Sequence, residues 1–453
     1  MGSSMAAGNR LQPQVGWVEK DLRRFAFAPA GSYRKAMAGR AGHDGDGPRD
    51  GRGEPDSDAS EDERASRFGR VVARLGSRLL GALDGLEQAF RRLHPPDLPR
   101  IRVLLEPVRD ALHEARVGFD ECETPDALRE FRDRLLEAAR LAEEALCDLV
   151  EPGTDGEAVG RALRAMHLHA RAQAALYPLR GMLPPVSSFF AEPFCRDRLA
   201  SLEAPPGRRE GRARVGLFRS GGIDVRGGFD LYVPEHWDGS QAWPLVVALH
   251  GGSGNGADFL WTWLREARSR RFLLLAPTSS GPTWSLAEPG LDGSALARAT
   301  AWVSSEWKVD RRHVLLTGLS DGATMTLLAG LADAAPYTHL APVSGVLHPA
   351  NFALGNLDRA RGMPIRLVHG ARDWLFPVAL AREAARVLEE AGAELVYREI
   401  RDLSHTWPRE ENARIIEWFD PSRAAPSPEN AGKANGSETP DGKPSDPGTS
   451  ELA

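Results

Sequence analysis

Three side chains in the C-terminal half of the sequence have the types and the order that nucleophilic catalysis by serine requires. Ser320 lies between Gly318 and Gly322 in a G-x-S-x-G pattern, and Asp373 and His405 follow it, each after a predicted strand. A serine hydroxyl is a weak nucleophile at neutral pH, so it needs a base within hydrogen-bond reach and a carboxylate that orients this base. The sequence therefore predicts that Ser320 attacks, His405 transfers protons and Asp373 orients His405.

The surroundings of Ser320 predict a nucleophile elbow. An apolar segment before Gly318 is typical of a buried strand, and residues 323–329 are typical of a buried helix. In such an elbow the serine sits on a tight strand-to-helix turn, where side chains at the two glycine positions would meet neighbouring backbone. The helix N-terminus points at the serine, where it suits developing negative charge.

Other residues could supply the acid or the base. Asp402 is the alternative for the acid, and His348 and His369 are the alternatives for the base. His369 adjoins a predicted strand, which favours a structural role, and His348 comes too early for the usual order of serine, acid and histidine. Ordinary turn or loop positions are the competing interpretations of Asp373 and His405.

An oxyanion hole needs two backbone N–H groups aimed at the carbonyl oxygen as it gains charge. Asp321, directly after the nucleophile, is expected to supply one of them. The second is expected from Gly252 in the glycine-rich loop at residues 250–256, with Gly251 or Ser253 as alternatives. This loop has neither the lysine nor the spacing of a phosphate-binding P-loop.

Three tryptophans in predicted loops near these residues are candidates to line a substrate pocket. They are Trp284, Trp374 and Trp407. Aromatic side chains can line an apolar site for an acyl or aryl group. Core packing is the alternative for each.

The elements that must position these residues alternate between strand and helix patterns over residues 213–420. Trp243–Leu249 is a continuous apolar run, as expected of a central parallel strand that is covered on both faces. Residues 215–233 predict a β-hairpin with two glycines at its turn. Alternating strands and helices predict an α/β fold with a doubly wound, mostly parallel sheet.

A helical pattern precedes this region. Apolar residues recur at helical spacing over residues 66–176 and predict an all-α bundle, with Pro107 expected to kink or split its second helix. His167 and His169 are two positions apart on a helix and so face different ways, and we expect no metal site there. A stability or association module is one interpretation of the bundle, and a cap over the active site is the other.

The remaining segments are rich in proline, glycine and polar residues. Residues 177–212 are expected to form a proline-rich connector. Residues 1–65 and 421–453 are expected to be disordered, because they contain too little apolar surface to offset the entropy lost on ordering.

The composition limits the classes of protein to consider. Of the 453 residues, 42% are hydrophobic and 26% are charged, as in soluble globular proteins, and no apolar run is long enough for a membrane span or a secretory signal. The net charge of −6 matches that of residues 43–65, so no basic face for nucleic acid is expected. Three widely spaced cysteines predict neither disulfides nor a zinc site, and a reducing cytoplasmic location is expected. The oligomeric state stays open.

Five ordered segments within residues 213–420 resemble α/β-hydrolase esterases. They begin at Leu249, Gly318, Val343, His369 and Ser404, and read LHGG, GLSDG, VSG, HGARD and SH. The nearest resemblance is to the phospholipase/carboxylesterase group, which includes acyl-protein thioesterases, and to feruloyl-esterase-like and polyhydroxyalkanoate-depolymerase-like enzymes. It implies an α/β-hydrolase fold and hydrolysis of esters or thioesters without a metal or other cofactor. The sequence departs from this pattern in two ways. Aspartate follows the serine where thioesterases usually have glutamine, and the hairpin before Pro244 and the helical region have no counterpart in the smallest members.

The first hypothesis is therefore a serine carboxylesterase that acts on a small-molecule ester through an acyl-enzyme. One alternative is an inactive hydrolase fold that serves as a scaffold or binding protein. Another is an acyltransferase, because the same covalent intermediate can pass its acyl group to an acceptor other than water.

Overall fold

The structure is a computed structural model that describes residues 61–152, 155–203, 214–220 and 225–426. Most of the two segments expected to be disordered, namely residues 1–60 and 427–453, lies outside the described residues. The turn of the predicted hairpin, at residues 221–222, also lies outside them.

An eight-stranded sheet forms the centre of the C-terminal region. Its strands are β1 Gly216–Ser220, β2 Phe229–Val233, β3 Trp243–Leu249, β4 Leu273–Pro277, β5 Val309–Leu319, β6 His339–Val343, β7 Pro364–Gly370 and β8 Glu394–Ile400. Their order across the sheet is β1-β2-β4-β3-β5-β6-β7-β8. The pairs β1-β2 and β2-β4 are antiparallel, and the remaining pairs are parallel. The predicted α/β-hydrolase class, with a doubly wound and mostly parallel sheet, is confirmed.

Strand β3 lies at the centre of the sheet, between β4 and β5, and each of its residues is buried. This burial explains its uninterrupted apolar sequence, because helices cover a parallel sheet on both faces. Since β3, β5, β7 and β8 run in the same direction, the loops after them gather at one edge of the sheet. The glycine-rich loop, the elbow and the loops of Asp373 and His405 therefore share that edge.

Four helices precede the sheet. They are α1 Glu61–Arg91, α2 Leu98–Asp120, α3 Arg129–Val150 and α4 Asp155–Leu176. Helix α1 begins five residues before the predicted start at residue 66. Pro107 lies inside α2, which continues past it without a break, so the predicted split does not occur.

The helical region shares its apolar core with one face of the sheet. Leu79 and Leu83 of α1 belong to the same buried cluster as Val246 of β3, Trp263 and Ile415. The helical region therefore lies on this face of the sheet, and burial of the shared cluster stabilises both parts.

Shorter elements complete the fold. The α-helices are α5 Pro184–Phe189, α6 Gly256–Phe259, α7 Leu264–Arg270, α8 Pro289–Glu306, α9 Asp321–Gly330, α10 Ala350–Ala353, α11 Val378–Glu390 and α12 Glu411–Phe419. The predicted connector contains α5 and the 3-10 segments Tyr177–Gly181 and Pro193–Leu202. Within the described ranges, no helix combines the length and the apolar content that crossing a bilayer requires.

Candidate active site

The nucleophile elbow joins β5 to α9 at Ser320. Its backbone has φ 58° and ψ −119°, a conformation that costs about 1–3 kcal/mol in non-glycine residues and recurs at active sites. The Ser320 N–H donates to the carbonyl oxygen of Val343 at 3.0 Å, and the Ser320 carbonyl accepts from Thr324 N–H at 2.9 Å. These two hydrogen bonds fix the backbone of Ser320 to the end of β6 and to the first turn of α9.

The two glycines of the elbow are required by close backbone contacts. A Cβ atom at Gly318 would lie 2.6 Å from the carbonyl carbon of Gly322. A Cβ atom at Gly322 would lie 2.4 Å from the carbonyl oxygen of His250 and 2.6 Å from that of Leu249. The elbow therefore packs directly onto the end of β3, and only glycine leaves room for this.

The structure brings the three predicted triad residues together. His405 Nε2 lies 2.9 Å from Ser320 Oγ, and His405 Nδ1 lies 2.8 Å from Asp373 Oδ2. The Asp373 side chain is fully buried, and its Oδ1 accepts the N–H groups of Leu375 at 3.0 Å and Phe376 at 2.8 Å. The two carboxylate oxygens thus have separate partners, so the Asp373 side chain is fixed beside the imidazole of His405.

The loops that carry the acid and the base lie against each other. The N–H of Arg372 donates to Leu403 O at 2.9 Å, and the N–H of Ala371 donates to Ile400 O at 2.9 Å. A Cβ atom at Gly370 would lie 2.4 Å from Leu403 O. This close approach sets the distance between Asp373 and His405.

The alternatives for the acid and the base have other partners. His369 Nε2 donates to Phe376 O at 2.8 Å and lies 3.5 Å from Asp373 Oδ2, so it shapes the loop of the acid. His348 Nδ1 accepts from Ala350 N–H at 3.2 Å at the start of α10. Asp402 pairs with Arg91 and has a side chain that is 72% exposed.

The glycine-rich loop passes close to the nucleophile. A Cβ atom at Gly251 would lie 3.5 Å from Ser320 Cβ. The N–H of Ser253 donates to Pro282 O at 3.0 Å, so this alternative donor already has a partner. Asp321 is the first residue of α9, where backbone N–H groups have no acceptor within the helix. The assignment of the loop donor to Gly252, with Gly251 as the alternative, stays a prediction.

His250 holds the glycine-rich loop in place. Its Nδ1 lies 2.6 Å from Gly251 O, and its Nε2 accepts from Ser279 N–H at 3.0 Å. Burial lowers the pKa of His250 to about 4, so the ring is neutral and can use one nitrogen as donor and the other as acceptor.

The carboxylate of Asp321 lies beside the predicted oxyanion hole. Thr283 Oγ1 donates to Asp321 Oδ2 at 2.5 Å, and the same oxygen lies 3.0 Å from where a Cβ atom at Gly252 would be. Thr283 was not among the predicted site residues, because it lies in the loop after β4 and no motif marks it.

The three candidate tryptophans occupy different environments. Trp284 is buried, and its Nε1 donates to His250 O at 2.8 Å. Trp407 is half-buried, and its Nε1 donates to Asn412 Oδ1 at 2.8 Å. Trp374 is 45% exposed and directly follows Asp373. Packing explains the first two positions without a substrate, and the predicted pocket role of all three stays a prediction.

Phe376 contacts His405 and was not among the predicted pocket residues. Its ring meets the ring of His405 edge to face, with centroids 5.2 Å apart. Phe376 lies three positions after Asp373 in the same loop. This proximity in sequence is the one signal that could have indicated the contact.

The two histidines of α4 serve as structural contacts. His167 Nδ1 lies 2.6 Å from Asp258 Oδ2, and His169 Nε2 lies 3.2 Å from Leu83 O. Among the described residues, no group of three or more histidine, cysteine, aspartate or glutamate side chains is arranged to hold a metal ion.

A family model matches this part of the chain. The model described as Phospholipase/Carboxylesterase matches residues 297–420, a segment that contains Ser320, Asp373 and His405. The predicted resemblance to this group is confirmed over that segment. No curated protein matches the chain.

Several solved structures are similar to parts of the chain. A thermostable esterase is 24% identical over 42% of this chain and 58% of its own length, with a TM-score of 0.36. Esterase PE8 is 20% identical over 40% of this chain and 93% of its own, with a TM-score of 0.35. The acetyl xylan esterase from Aspergillus awamori is 17% identical over 45% of this chain and 98% of its own, with a TM-score of 0.36. The chain thus spans less than two thirds of the thermostable esterase.

Proposed function

We propose that the protein is a serine esterase that hydrolyses carboxylic esters, or thioesters, of small molecules. The observation that carries this proposal is the continuous chain of hydrogen bonds from Ser320 Oγ through His405 to Asp373, with distances of 2.9 and 2.8 Å. It supplies the nucleophile, base and orienting carboxylate that acyl transfer by serine requires.

The proposed reaction has two halves. Ser320 Oγ attacks the acyl carbonyl while His405 Nε2 takes its proton, and the N–H groups of Gly252 and Asp321 stabilise the oxyanion. The intermediate collapses to the acyl-enzyme as the alcohol or thiol leaves with the proton from His405. His405 then takes a proton from a water molecule, which attacks the acyl-enzyme. As this second intermediate collapses, His405 gives the proton to Ser320 Oγ, and the carboxylic acid and free Ser320 are released. Asp373 accepts the Nδ1–H of His405 throughout.

Replacement of the nucleophile is the direct test. We expect Ser320→Ala to lower the hydrolysis of p-nitrophenyl butyrate by several orders of magnitude, because the triad acts as a unit. Ser305→Ala is the matched control, since Ser305 is exposed on α8 and donates only to Trp302 O. Ser320→Ala with full activity would contradict the proposal.

A fluorophosphonate probe distinguishes the enzyme from an inactive scaffold. An activated serine forms a covalent adduct with the probe, so intact-mass measurement should show one adduct on the wild-type protein and none on Ser320→Ala. A scaffold would stay unlabelled.

A series of esters with increasing acyl length then defines the substrate, and an added alcohol acceptor reports acyl transfer. The cytoplasmic location stays a prediction.

A further inference from the structure

The loop that carries His405 has no regular secondary structure of its own. It connects the end of β8 at Ile400 to the start of α12 at Glu411. On the side of the sheet it is held by the loop of the acid, through the hydrogen bond from Arg372 N–H to Leu403 O. The position of the imidazole therefore also depends on what holds the other side of this loop.

The end of helix α1 and the turn after it hold that other side. Thr406 Oγ1 donates to Phe90 O at 2.9 Å, and His94 Nδ1 lies 3.1 Å from Ser404 Oγ. These contacts reach the residues immediately before and after His405. Both partners on the loop are buried, with Ser404 at 1% and Thr406 at 4% exposure.

The same segment of the helical region makes further polar contacts around the site. Arg409 Nη1 donates to Glu87 at 3.0 Å, and Arg372, directly before Asp373, donates to Asp97 at 2.9 Å. The second pair is half exposed, so solvent screens it and its contribution is the smaller one. The contacts thus concentrate on the loop of the base.

We propose that residues 87–97 of the helical region position the catalytic histidine, with the Phe90 carbonyl and the His94 ring as the positioning groups. The inference rests on the proposed esterase function and adds a role for the helical region in it. The two groups do not touch the reacting atoms. They act through Thr406 and Ser404, and fix the loop so that His405 Nε2 stays within reach of Ser320 Oγ.

Loss of this support should reduce turnover more than binding. A displacement of about 1 Å in a catalytic group can lower the rate by up to about 100-fold. We expect Thr406→Val, which removes the hydroxyl and keeps the shape, to lower kcat about tenfold with KM unchanged. Thr406→Ser keeps a hydroxyl that can donate to Phe90 O, so its kcat should stay close to that of the wild type.

A second pair of variants changes the helical partner instead. His94→Phe removes the ring nitrogen and should lower kcat, whereas His94→Asn keeps a polar atom at the position of Nδ1 and should preserve it. His113→Phe is the matched control, because His113 of α2 contacts Glu143 of α3 within the helical region and is half exposed. Its kcat should equal that of the wild type.

The experiment measures kcat and KM with p-nitrophenyl butyrate, the rate of fluorophosphonate labelling and the unfolding midpoint in urea for each variant. The proposal is supported if kcat and labelling rate fall together in Thr406→Val and His94→Phe and recover in the two conservative variants. Wild-type kcat in both disruptive variants overturns it, and so does an equal loss in His113→Phe or in the conservative pair. If Thr406→Val does not fold, the comparison of kcat and labelling rate between His94→Phe and His94→Asn decides the question. A wild-type protein that neither hydrolyses the ester nor takes the probe instead overturns the esterase function.

Discussion

The two sides of the active site are held by different means. The nucleophile side depends on close backbone contacts between the elbow and the end of β3, where Gly318 and Gly322 leave no room for a side chain. The base side depends on side-chain hydrogen bonds to the helical region, such as the bond between Thr406 and Phe90 across 316 positions of sequence. The elbow is thus fixed by backbone of the sheet region itself, whereas the loop of His405 also depends on the helical region that precedes the sheet.

The largest effect is expected where the elbow is altered. Gly322→Ala would place a Cβ atom 2.4 Å from His250 O, and backbone on both sides must move to admit it. We expect activity to be lost and the free energy of unfolding to fall by about 3 kcal/mol. Urea unfolding and ester hydrolysis measure the two effects.

Gly160→Ala is the control for this change. Gly160 lies in α4 with no atom within 4 Å of its would-be Cβ, so the substitution should stabilise the protein by about 0.5–1 kcal/mol and leave turnover unchanged. Wild-type turnover in Gly322→Ala would show that the elbow tolerates displacement.

The next largest effect is expected from the acid. Asp373→Asn keeps an oxygen for the N–H groups of Leu375 and Phe376 and removes the charge that orients His405, so kcat should fall about 10⁴-fold. Asp402→Asn should change it by less than about twofold, since Asp402 lies in an exposed ion pair. Steady-state kinetics of both variants test the assignment, and a larger loss in Asp402→Asn would transfer the role of the acid to Asp402.

Acidification should lower the free energy of unfolding, because several histidines are buried in the folded protein. Burial lowers the pKa to about 4 in His169, His236 and His250. Because their ordinary pKa is about 6.5, the unfolded chain binds protons first as the pH falls. The free energy of unfolding should therefore decrease between about pH 6.5 and pH 4, by up to about 1.4 kcal/mol for each pKa unit and group.

Urea denaturation at a series of pH values measures this slope. His169 belongs to the helical region and His250 to the glycine-rich loop, so His169→Asn and His250→Asn should each reduce the slope. Ser305→Ala, which removes no titratable group from an exposed position on α8, is the control and should leave it unchanged. A stability that is independent of pH over this range would contradict the expectation.

The smallest effect is expected from the exposed contact between the two regions. Arg372→Gln removes the ion pair with Asp97, in which both side chains are about two-fifths exposed. We expect a loss of less than about 1 kcal/mol in the free energy of unfolding and a change of less than about twofold in kcat. Arg386→Gln on α11, which pairs with Glu383, is the matched surface control. A tenfold loss specific to Arg372→Gln would show that this pair also positions the acid.

The features that could be predicted from the sequence are those that depend on a local pattern or on the order of residues along the chain. The glycines of the elbow, the apolar run of β3 and the order of Ser320, Asp373 and His405 carry signals that lie within a few residues or follow from strand ends. The contacts of Phe90 and His94 with the loop of the base carry no such signal, because the partners are more than 300 positions apart. The environment of Trp284 is also decided by tertiary packing, since an aromatic residue in a loop can face the core or solvent.

The boundaries of helices also depend on tertiary packing, which leaves no local signal in the sequence. Residues 258–269 have one continuous helical pattern, yet the chain forms α6, a 3-10 turn at Leu260–Thr262 and α7. Trp261 and Trp263 are both buried there, and tertiary packing of these large rings accompanies the break. Helix α8 begins at Pro289, because proline is favoured at the first helical position.

The core that α1 shares with the sheet has a consequence for synthesis. Leu79 and Leu83 leave the ribosome before β3, and more than 300 residues before Ile415 and Phe419, which complete the same cluster. At about 5–20 residues per second, that interval lasts roughly 15–60 s, during which apolar surface of α1 lacks its final partners and can recruit chaperones. His405 emerges with the last of those partners. His405, the proposed base, and the residues that complete this core are therefore synthesised at nearly the same time.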